Sequence, residues 1–327
     1  MKKAIAITAG EPAGIGYDIL VLAAQKNNTG IPWLVFADPD VLKKRAQLLN
    51  VPLQIELFKD FEEIASVEKT LTVYPTPCLK PVEAGSLNVS NTQAVLEGLQ
   101  LATESCLQQK TAALLTLPIH KGIINEAGIP FSGHTEFLAE ACKLKKVVMM
   151  LASRTCRVAL VTTHIPLTEV HKKITEENIT ETIMILSEHL KNFYHIPYPT
   201  IFVTGLNPHA GENGYLGREE IDIIEPCLKK LRQKNFAELI GPVAADTLFQ
   251  PIFLQKADAI VAMYHDQGLA PLKALYFGDI VNITCGLPFI RVSVDHGVAL
   301  DKAGTDTVNI KSFLTAIDVL ENNLIKK

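Results

Sequence analysis

Tyr264-His265-Asp266-Gln267-Gly268 and Ser293-Val294-Asp295-His296-Gly297 frame the stretch of sequence that decides the predicted fold. The first motif directly follows the apolar run 259–263, which has the length and composition of a strand buried on both faces. Two further strand-like runs, 280–283 and 290–294, come before the end of the second motif. Ligands of open α/β sheets bind at the carboxyl ends of the strands, so polar residues at these ends are candidate site residues.

The same alternation of strand and helix continues on both sides of this stretch. Apolar runs of strand length alternate with longer segments of helical periodicity, which predicts an α/β fold. The predicted strands are 4–9, 33–36, 53–58, 70–74, 112–117, 147–151, 158–162 and 201–204, and the predicted helices are 17–25, 40–49, 92–109 with Ser90 as its N-cap, 175–193, 219–234 and 312–324.

Length and composition restrict the class of protein. A chain of 327 residues with 48% hydrophobic and 20% charged residues is long enough for two domains. The net charge of -4 does not indicate a nucleic-acid or membrane partner, and no apolar run approaches the roughly 18 residues that span a bilayer. The sequence starts without a signal-peptide cleavage pattern, and its six cysteines are scattered without disulfide or Cys-x-x-Cys spacing, so we expect a cytoplasmic protein.

Three histidines occupy equivalent places in this pattern. His164, His209 and His265 each lie at or just past the carboxyl end of a predicted buried strand. If those strands are neighbours, the three imidazoles converge, and three neutral imidazoles are a good donor set for a divalent transition metal. The alternative is a structural role, which is the commoner one for a single histidine.

A second group of polar residues suits an anionic substrate, because arginine offers a planar fork to phosphate or carboxylate and lysine offers a point charge. Its members are His134, Lys273, Asn282 and Arg291. Asp246 and Asp266 are candidates for orienting metal ligands or for accepting a proton. The alternatives are surface ion pairs for the two cations and helix caps for the two aspartates.

Six motifs, spread over nearly the whole chain, are similar to those of one enzyme family and occur in the family's order. They are Gly10-Glu11-Pro12-Ala13-Gly14-Ile15-Gly16, Gly133-His134-Thr135-Glu136, Thr162-Thr163-His164-Ile165-Pro166-Leu167, Asn207-Pro208-His209-Ala210-Gly211-Glu212 and the two motifs quoted first. The sequence therefore resembles the 4-hydroxythreonine-4-phosphate dehydrogenases, a family of the pyridoxal phosphate pathway.

The resemblance implies a fold like that of isocitrate and isopropylmalate dehydrogenases, with two α/β/α domains, a central cleft and a homodimer with shared active sites. We expect residues 1–130 with 300–327 to form the first domain, and residues 131–299 to form the second, which carries most of the metal and substrate site. The implied metal ligands are His164, His209 and His265. The implied substrate contacts are His134, Thr135, Lys273, Asn282 and Arg291.

The implied reaction is the NAD- or NADP-dependent oxidation of 4-phosphohydroxy-L-threonine at its 3-hydroxyl to 2-amino-3-oxo-4-phosphooxybutanoate. This product decarboxylates to 3-amino-2-oxopropyl phosphate, a step of pyridoxine 5'-phosphate biosynthesis. A divalent ion (Zn, Mg or Co) would lower the pKa of the 3-hydroxyl. Asp246, Asp266 and Lys273 are the candidate acceptors of its proton, and the residues that bind the nicotinamide cofactor stay unassigned.

Three segments depart from the family's pattern. Gly16-Tyr17-Asp18 stands where the family has Gly-Pro-Glu, and His120 stands where it has asparagine. Residues 297–306 follow the family's Gly-Thr-Ala-Phe-Asp-Ile-Ala-Gly-Lys-Gly only in part. This last segment lies where we expect cofactor contacts, so the sequence leaves the preference for NAD or NADP open.

Two other activities stay open at this point. One is the oxidation of a sugar-acid phosphate, such as threonate or erythronate 4-phosphate, at the same metal site. The other is acyl or phosphoryl transfer on a related two-domain scaffold, which would not need three histidines at strand ends.

Overall fold

The computed structural model describes residues 2–27 and 30–325 of the chain. Within them the strands, numbered in chain order, are β1 (Ile5–Thr8), β2 (Trp33–Ala37), β3 (Gln54–Leu57), β4 (Thr70–Pro75), β5 (Ala113–Thr116), β6 (Val148–Ala152), β7 (Arg157–Leu160), β8 (Thr200–Thr204), β9 (Glu238–Val243), β10 (Ala259–Ala262), β11 (Val281–Cys285) and β12 (Ile290–Val294).

The α-helices of the described residues alternate with these strands. They are α1 (Gly16–Ala24), α2 (Pro39–Leu48), α3 (Thr92–Leu107), α4 (Lys121–Glu126), α5 (His134–Ala141), α6 (Leu167–Lys173), α7 (Glu176–Asn192), α8 (Glu225–Arg232), α9 (Ala245–Leu248), α10 (Pro251–Leu254), α11 (His265–Tyr276) and α12 (Lys311–Leu324). Shorter helical turns lie at Phe61–Glu63, Val89–Asn91, Pro208–Gly214, Glu220–Ile224 and Leu300–Lys302.

The chain divides into two compact units. The first unit is Met1–Leu144 with Leu287–Lys327, and the second unit is Lys145–Gly286. The predicted domain boundaries lay elsewhere, at 130/131 and 299/300, and β12 shows why the second boundary differs, since it pairs in parallel with β5 of the first unit. Residues 1, 28, 29, 326 and 327, which the predicted first domain includes, lie outside the described residues.

The first unit contains a parallel sheet in the order β3-β4-β2-β1-β5-β12. Every residue of β1 and β5 is buried, as the apolar character of both strands predicts. Trp33 of β2 packs edge-on against Phe313 of α12, with 5.4 Å between the ring centroids. The core of this unit therefore includes the last helix of the chain.

The second unit has the strand order β11-β6-β7-β10-β8-β9. β11 and β7 both pair antiparallel with β6, whereas the pairs β7–β10, β10–β8 and β8–β9 are parallel. The strands β7, β10 and β8 are thus parallel neighbours, and their carboxyl ends lie at one edge of the sheet. This arrangement is the condition on which the predicted convergence of the three histidines depended.

The elements differ from the sequence prediction in a few places with local causes. Ser90 is not the cap of α3, because Asn88 accepts the N–H of Ser90 and a 3-10 turn at Val89–Asn91 leads into the helix. The predicted helix 219–234 begins with a π-helical turn before α8. The strand β9 and the helix α11 were not predicted, since glycine and proline interrupt the apolar pattern of both. The short helices α4, α5, α6, α9 and α10 were not predicted either.

Candidate active site

The carboxyl ends of β7 and β10 are joined by hydrogen bonds. Thr162, which follows β7, donates from its backbone N–H (3.2 Å) and from its hydroxyl (2.8 Å) to the carbonyl of Met263, which follows β10. This junction brings two of the predicted metal ligands together, with the ring centroids of His164 and His265 5.4 Å apart.

His265 is the first residue of α11, and its ring is oriented by the next residue. Its Nδ1 lies 2.6 Å from Oδ1 of Asp266. An ionised carboxylate can only accept, so a neutral His265 carries its proton on Nδ1 and presents the lone pair of Nε2. Of the two roles that the sequence left open for Asp266, this contact suits the orientation of a ligand.

His209 lies in the turn Pro208–Gly214 that follows β8, and its side chain is exposed. It lines a cavity of about 250 Å³ together with Asp246 of α9, one of the candidate proton acceptors. The other lining residues are Leu206, Asn207, Pro208, Ala245, Tyr264 and Gln267. The structure thus brings His209 and Asp246 to one cavity. Tyr264 and Gln267, which lie within two residues of His265 in the chain, line the same cavity.

Gln267 fastens the ends of β8 and β10 to each other. Its Oε1 accepts from the N–H of Met263 and from the hydroxyl of Thr204, both at 2.7 Å, and its Nε2 donates to the carbonyl of Gly205 at 2.7 Å. No role was predicted for Gln267, although it lies in the motif 264–268. The available signal was an amide at a strand end. It could not predict the bonds to Thr204 and Gly205, which lie 63 and 62 residues earlier in the chain.

The three predicted ligands therefore lie at the ends of three adjacent strands, but they do not form a closed site. Among residues 2–27 and 30–325, no three side chains of His, Cys, Asp or Glu stand close enough to hold one ion together. Two of the imidazoles are in ring contact, and the donor chemistry of the set suits a divalent transition metal.

Two predicted substrate contacts also belong to the second unit. Lys273 lies in α11, two turns after His265 and so about 12 Å further along the helix axis. Asn282 is a half-buried residue of β11, opposite Leu151 of β6. The assignment of both residues as substrate contacts stays a prediction.

Arg291 is a buried cation in the first unit. It lies in β12, its exposed fraction is 3%, and one of its terminal nitrogens donates to the hydroxyl of Thr116 at the carboxyl end of β5 (2.7 Å). Burial lowers the pKa of Arg291 to about 10, which leaves the guanidinium charged at neutral pH. The alternative of a surface ion pair is therefore wrong for Arg291.

His134 lies beside this arginine at the start of α5. Burial, with the positive charges of Arg291 and Lys121, holds the pKa of His134 well below its ordinary value, so the ring is neutral at pH 7. Its Nε2 is buried and has no hydrogen-bond partner among the residues described. We call His134, Lys121 and Arg291 the basic cluster; Thr135 follows His134 in the same helix.

Lys121 was missed by the sequence analysis, although its neighbour His120 was singled out as a departure. A Cβ at Gly133 would lie 2.9 Å from both Lys121 Nζ and Glu136 Oε2, so both side chains flank the start of α5. His120 accepts the N–H of Ile123 at its Nδ1 (3.1 Å) and so caps α4. A cap is a role that asparagine also fills well, so this departure preserves the local structure.

Two of the segments that depart from the family's pattern, the one with Asp18 and residues 297–306, contact each other. Asp18 and Arg45 form a buried ion pair, and Asp18 Oδ1 also accepts the N–H of Gly304 (2.9 Å). Burial raises the pKa of Asp18, and the charge of Arg45 opposes this shift. The glycine-rich turn 10–16 is tied to the same segment, since Ile15 donates its N–H to the carbonyl of Val298 (3.0 Å). Arg45 ties the turn to α2 by donating to the carbonyls of Pro12 and Gly14.

Two further observations bear on the class of protein. No helix in the described part of the chain is long and apolar enough to cross a membrane. All six cysteines lie in that part, and all are free thiols.

Comparison with known proteins gives a consistent result over almost the full length. Residues 30–320 match the family of the pyridoxal phosphate biosynthetic protein PdxA. The chain is 51% identical to the 4-hydroxythreonine-4-phosphate dehydrogenase of Erwinia tasmaniensis over 97% of this chain and 96% of that protein, and 51% identical to that of Serratia proteamaculans over 96% and 95%.

A solved structure agrees with these relatives. The 4-hydroxythreonine-4-phosphate dehydrogenase of Klebsiella pneumoniae superimposes with a TM-score of 0.90 at 34% identity, covering 99% of this chain and 100% of that one. The predicted α/β fold class is thereby confirmed. The chain belongs to the PdxA family of pyridoxal phosphate biosynthetic proteins, and it is an oxidoreductase.

Proposed function

We propose that the chain oxidises 4-phosphohydroxy-L-threonine at its 3-hydroxyl, with NAD or NADP as the hydride acceptor. The product, 2-amino-3-oxo-4-phosphooxybutanoate, loses CO2 to give 3-amino-2-oxopropyl phosphate for pyridoxine 5'-phosphate biosynthesis. The observation that carries the proposal is the placement of three imidazoles at the ends of three adjacent strands, in a chain half identical to dehydrogenases of this substrate.

His164, His209 and His265 are the residues that would hold a divalent ion such as Zn, Mg or Co. The orientation of His265 by Asp266 supports this assignment, because a carboxylate bonded to Nδ1 leaves Nε2 as the donor atom. A divalent ion bound there supplies Lewis acidity toward the 3-hydroxyl of the substrate.

The basic cluster would bind the anionic end of the substrate. A buried guanidinium attracts phosphate or carboxylate more strongly than an exposed one, and its planar fork fixes the orientation of the group. The partnerless Nε2 of His134 is a further polar atom that a bound anion could satisfy. Thr135, Lys273 and Asn282 complete the proposed substrate contacts on the strength of the family resemblance.

Asp246 is the proposed acceptor of the hydroxyl proton. It lines the same cavity as His209, whereas the carboxylate of Asp266 is engaged by His265. Lys273 lies two helical turns away from His265. We therefore assign it the stabilisation of negative charge on the substrate and not the acceptance of the 3-hydroxyl proton.

The segment 297–306 would contribute to the binding of the nicotinamide cofactor. A Cβ at Gly297 would meet no atom within 4 Å, and Nε2 of His296 is buried without a hydrogen-bond partner in the described residues. Open space beside a partnerless polar atom suits a polar ligand such as the dinucleotide. The free state of all six cysteines supports a reducing, cytoplasmic compartment for this enzyme.

The test is a side-by-side assay with NAD and NADP on two substrates. We expect kcat/KM for 4-phosphohydroxy-L-threonine to exceed that for erythronate 4-phosphate by at least about 100-fold, because the amino group of the former is then recognised. Equal or reversed kcat/KM values would contradict the proposed substrate.

A further inference from the structure

The turn that carries His209 has an unusual backbone. Residues 209–213 have φ angles between 44° and 79°, and all but Gly211 carry a side chain. Such residues disfavour the left-handed region because Cβ comes too close to the following carbonyl oxygen. A run of them persists only where surrounding contacts hold the backbone in place.

The carboxylate of Glu220 supplies such contacts at the start of the turn. Glu220 has an exposed fraction of 4%, and its Oε1 accepts the N–H groups of Leu206 (2.7 Å) and Asn207 (2.8 Å). Its Oε2 accepts from the side-chain amide of Asn207 at 2.9 Å. One buried carboxylate therefore fixes the junction between β8 and the turn, two residues before His209.

Two glycines leave room for this carboxylate on either side of His209 in the chain. A Cβ at Gly211, where φ is +79°, would lie 2.6 Å from Oε2 of Glu220. A Cβ at Gly205 would lie 2.8 Å from Oε1. The carboxylate thus accepts backbone hydrogen bonds before His209 and lies close to Gly211 after it. A change at Glu220 should therefore shift the backbone on both sides of the histidine.

Glu220 also lies at a place where helices are irregular. It is the first residue of the π-helical turn Glu220–Ile224, which precedes α8. Single π-turns are frequent at functional sites, where they re-aim one side chain. Here the irregular turn accompanies a side chain that points at the backbone of the His209 turn and not into solvent.

We propose that Glu220 is a positioning residue for His209. By holding the left-handed turn, Glu220 keeps the imidazole at the edge of the sheet where the other two histidines lie, and so sets the affinity for the divalent ion. This inference rests on the metal site proposed above.

Co2+ binding to the full chain tests this link without an activity assay. Metal-free protein is titrated with Co2+, and the visible absorption of the bound ion reports affinity and coordination. Glu220→Gln keeps the size of the side chain but turns an amide N–H2 toward N–H donors. We expect its Co2+ affinity to fall by about 10- to 100-fold.

The matched control is Asp222→Asn in the same π-helical turn. Asp222 pairs with Arg218 at the surface, and its side chain is half exposed. This variant also removes one negative charge near the turn, but it leaves the contacts of Glu220 in place. It should bind Co2+ with wild-type affinity, and an equal loss in both variants would overturn the positioning role.

A rescue separates positioning from a general loss of stability. Glycine enters the left-handed region without a Cβ penalty, so adding Ala210→Gly to Glu220→Gln should restore most of the Co2+ affinity. If Glu220 served stability alone, Ala210→Gly would leave the Co2+ affinity of the double variant unchanged. Should Glu220→Gln not fold, Glu220→Asp keeps the charge but withdraws the carboxylate by one methylene, and it should weaken Co2+ binding by about 10-fold.

His209→Ala, measured in parallel, distinguishes the two proposals. If His209→Ala weakens Co2+ binding while Glu220→Gln binds as the wild type does, the role of Glu220 is overturned and the metal site stands. If His209→Ala itself keeps wild-type affinity, the metal site is overturned and the role of Glu220 with it.

Discussion

In the first unit, Arg291 is buried and Nε2 of His134 is shielded, whereas in the second unit His164 and His209 are exposed. Burial determines the chemistry of the first group, because it lowers the pKa of both residues and sharpens their interaction with an anion. The strand-end histidines depend instead on backbone register and on a few hydrogen bonds. We therefore expect substitutions of the strand-end histidines to lower metal binding, and substitutions in the basic cluster to weaken substrate binding.

The largest effect is expected at the strand-end histidines. Replacing His209 by alanine removes one of three proposed ligands, and we expect metal affinity and kcat/KM to fall by more than about 100-fold, since loss of an outer-shell partner alone costs about 10- to 100-fold. Metal content by mass spectrometry and steady-state rates check this. His195→Asn, at an exposed histidine before the amino end of β8, is the control and should change neither quantity. Asparagine tolerates the positive φ of this position.

A smaller and more selective effect is expected in the basic cluster. Arg291→Lys keeps a positive charge but loses the planar fork, so the KM for the phosphorylated substrate should rise by about 10- to 100-fold while metal content stays unchanged. The measurement is the ratio of kcat/KM for phosphorylated and unphosphorylated hydroxythreonine. A ratio equal to that of the wild type would contradict a role in phosphate recognition.

The control for this substitution is Arg232→Lys. Arg232 pairs with Glu225 in the second unit and is partly exposed. It should leave the same ratio unchanged, because no anion-binding role is proposed there.

A buried histidine outside the site shows what burial does without a ligand. His189 of α7 lies near Arg157, as His134 lies near Arg291, and burial lowers its pKa to about 4. The folded chain therefore binds fewer protons than the unfolded chain between pH 6.5 and 4, so stability falls as the pH falls through this range. Between pH 6.5 and 5 the loss amounts to at most about 2 kcal/mol.

Urea denaturation at pH 7 and pH 5 measures this effect. We expect His189→Gln to reduce the loss of stability on acidification while leaving metal binding unchanged. An unchanged difference between the two midpoints would show that His189 is not the group responsible.

The sequence predicted the strands better than the connections between them. Apolar runs predicted buried strands such as β1 and β10. Position at or just past a strand end identified His164, His209 and His265 as candidates. The contacts of Glu220 and Gln267 could not be predicted, because each depends on partners brought together by the fold. The apolar neighbours of Arg291 indicate a buried residue. Its hydrogen bond to Thr116, 175 residues earlier in the chain, could not be predicted.

The smallest change in activity is expected in a subunit-mixing experiment. It tests whether the basic cluster and the strand-end histidines of one active site come from the same subunit or from two subunits. We propose, from the family resemblance, a homodimer in which each active site takes residues from both subunits. Variants inactivated at His134 and at His265 are mixed, and subunit exchange is verified by mass. If the two residues serve one site from opposite subunits, half of the dimers carry one intact site, which restores roughly a quarter of wild-type activity. No recovery above the parents would assign both residues to the same chain. A fully active monomer in light scattering would end the proposal of shared sites.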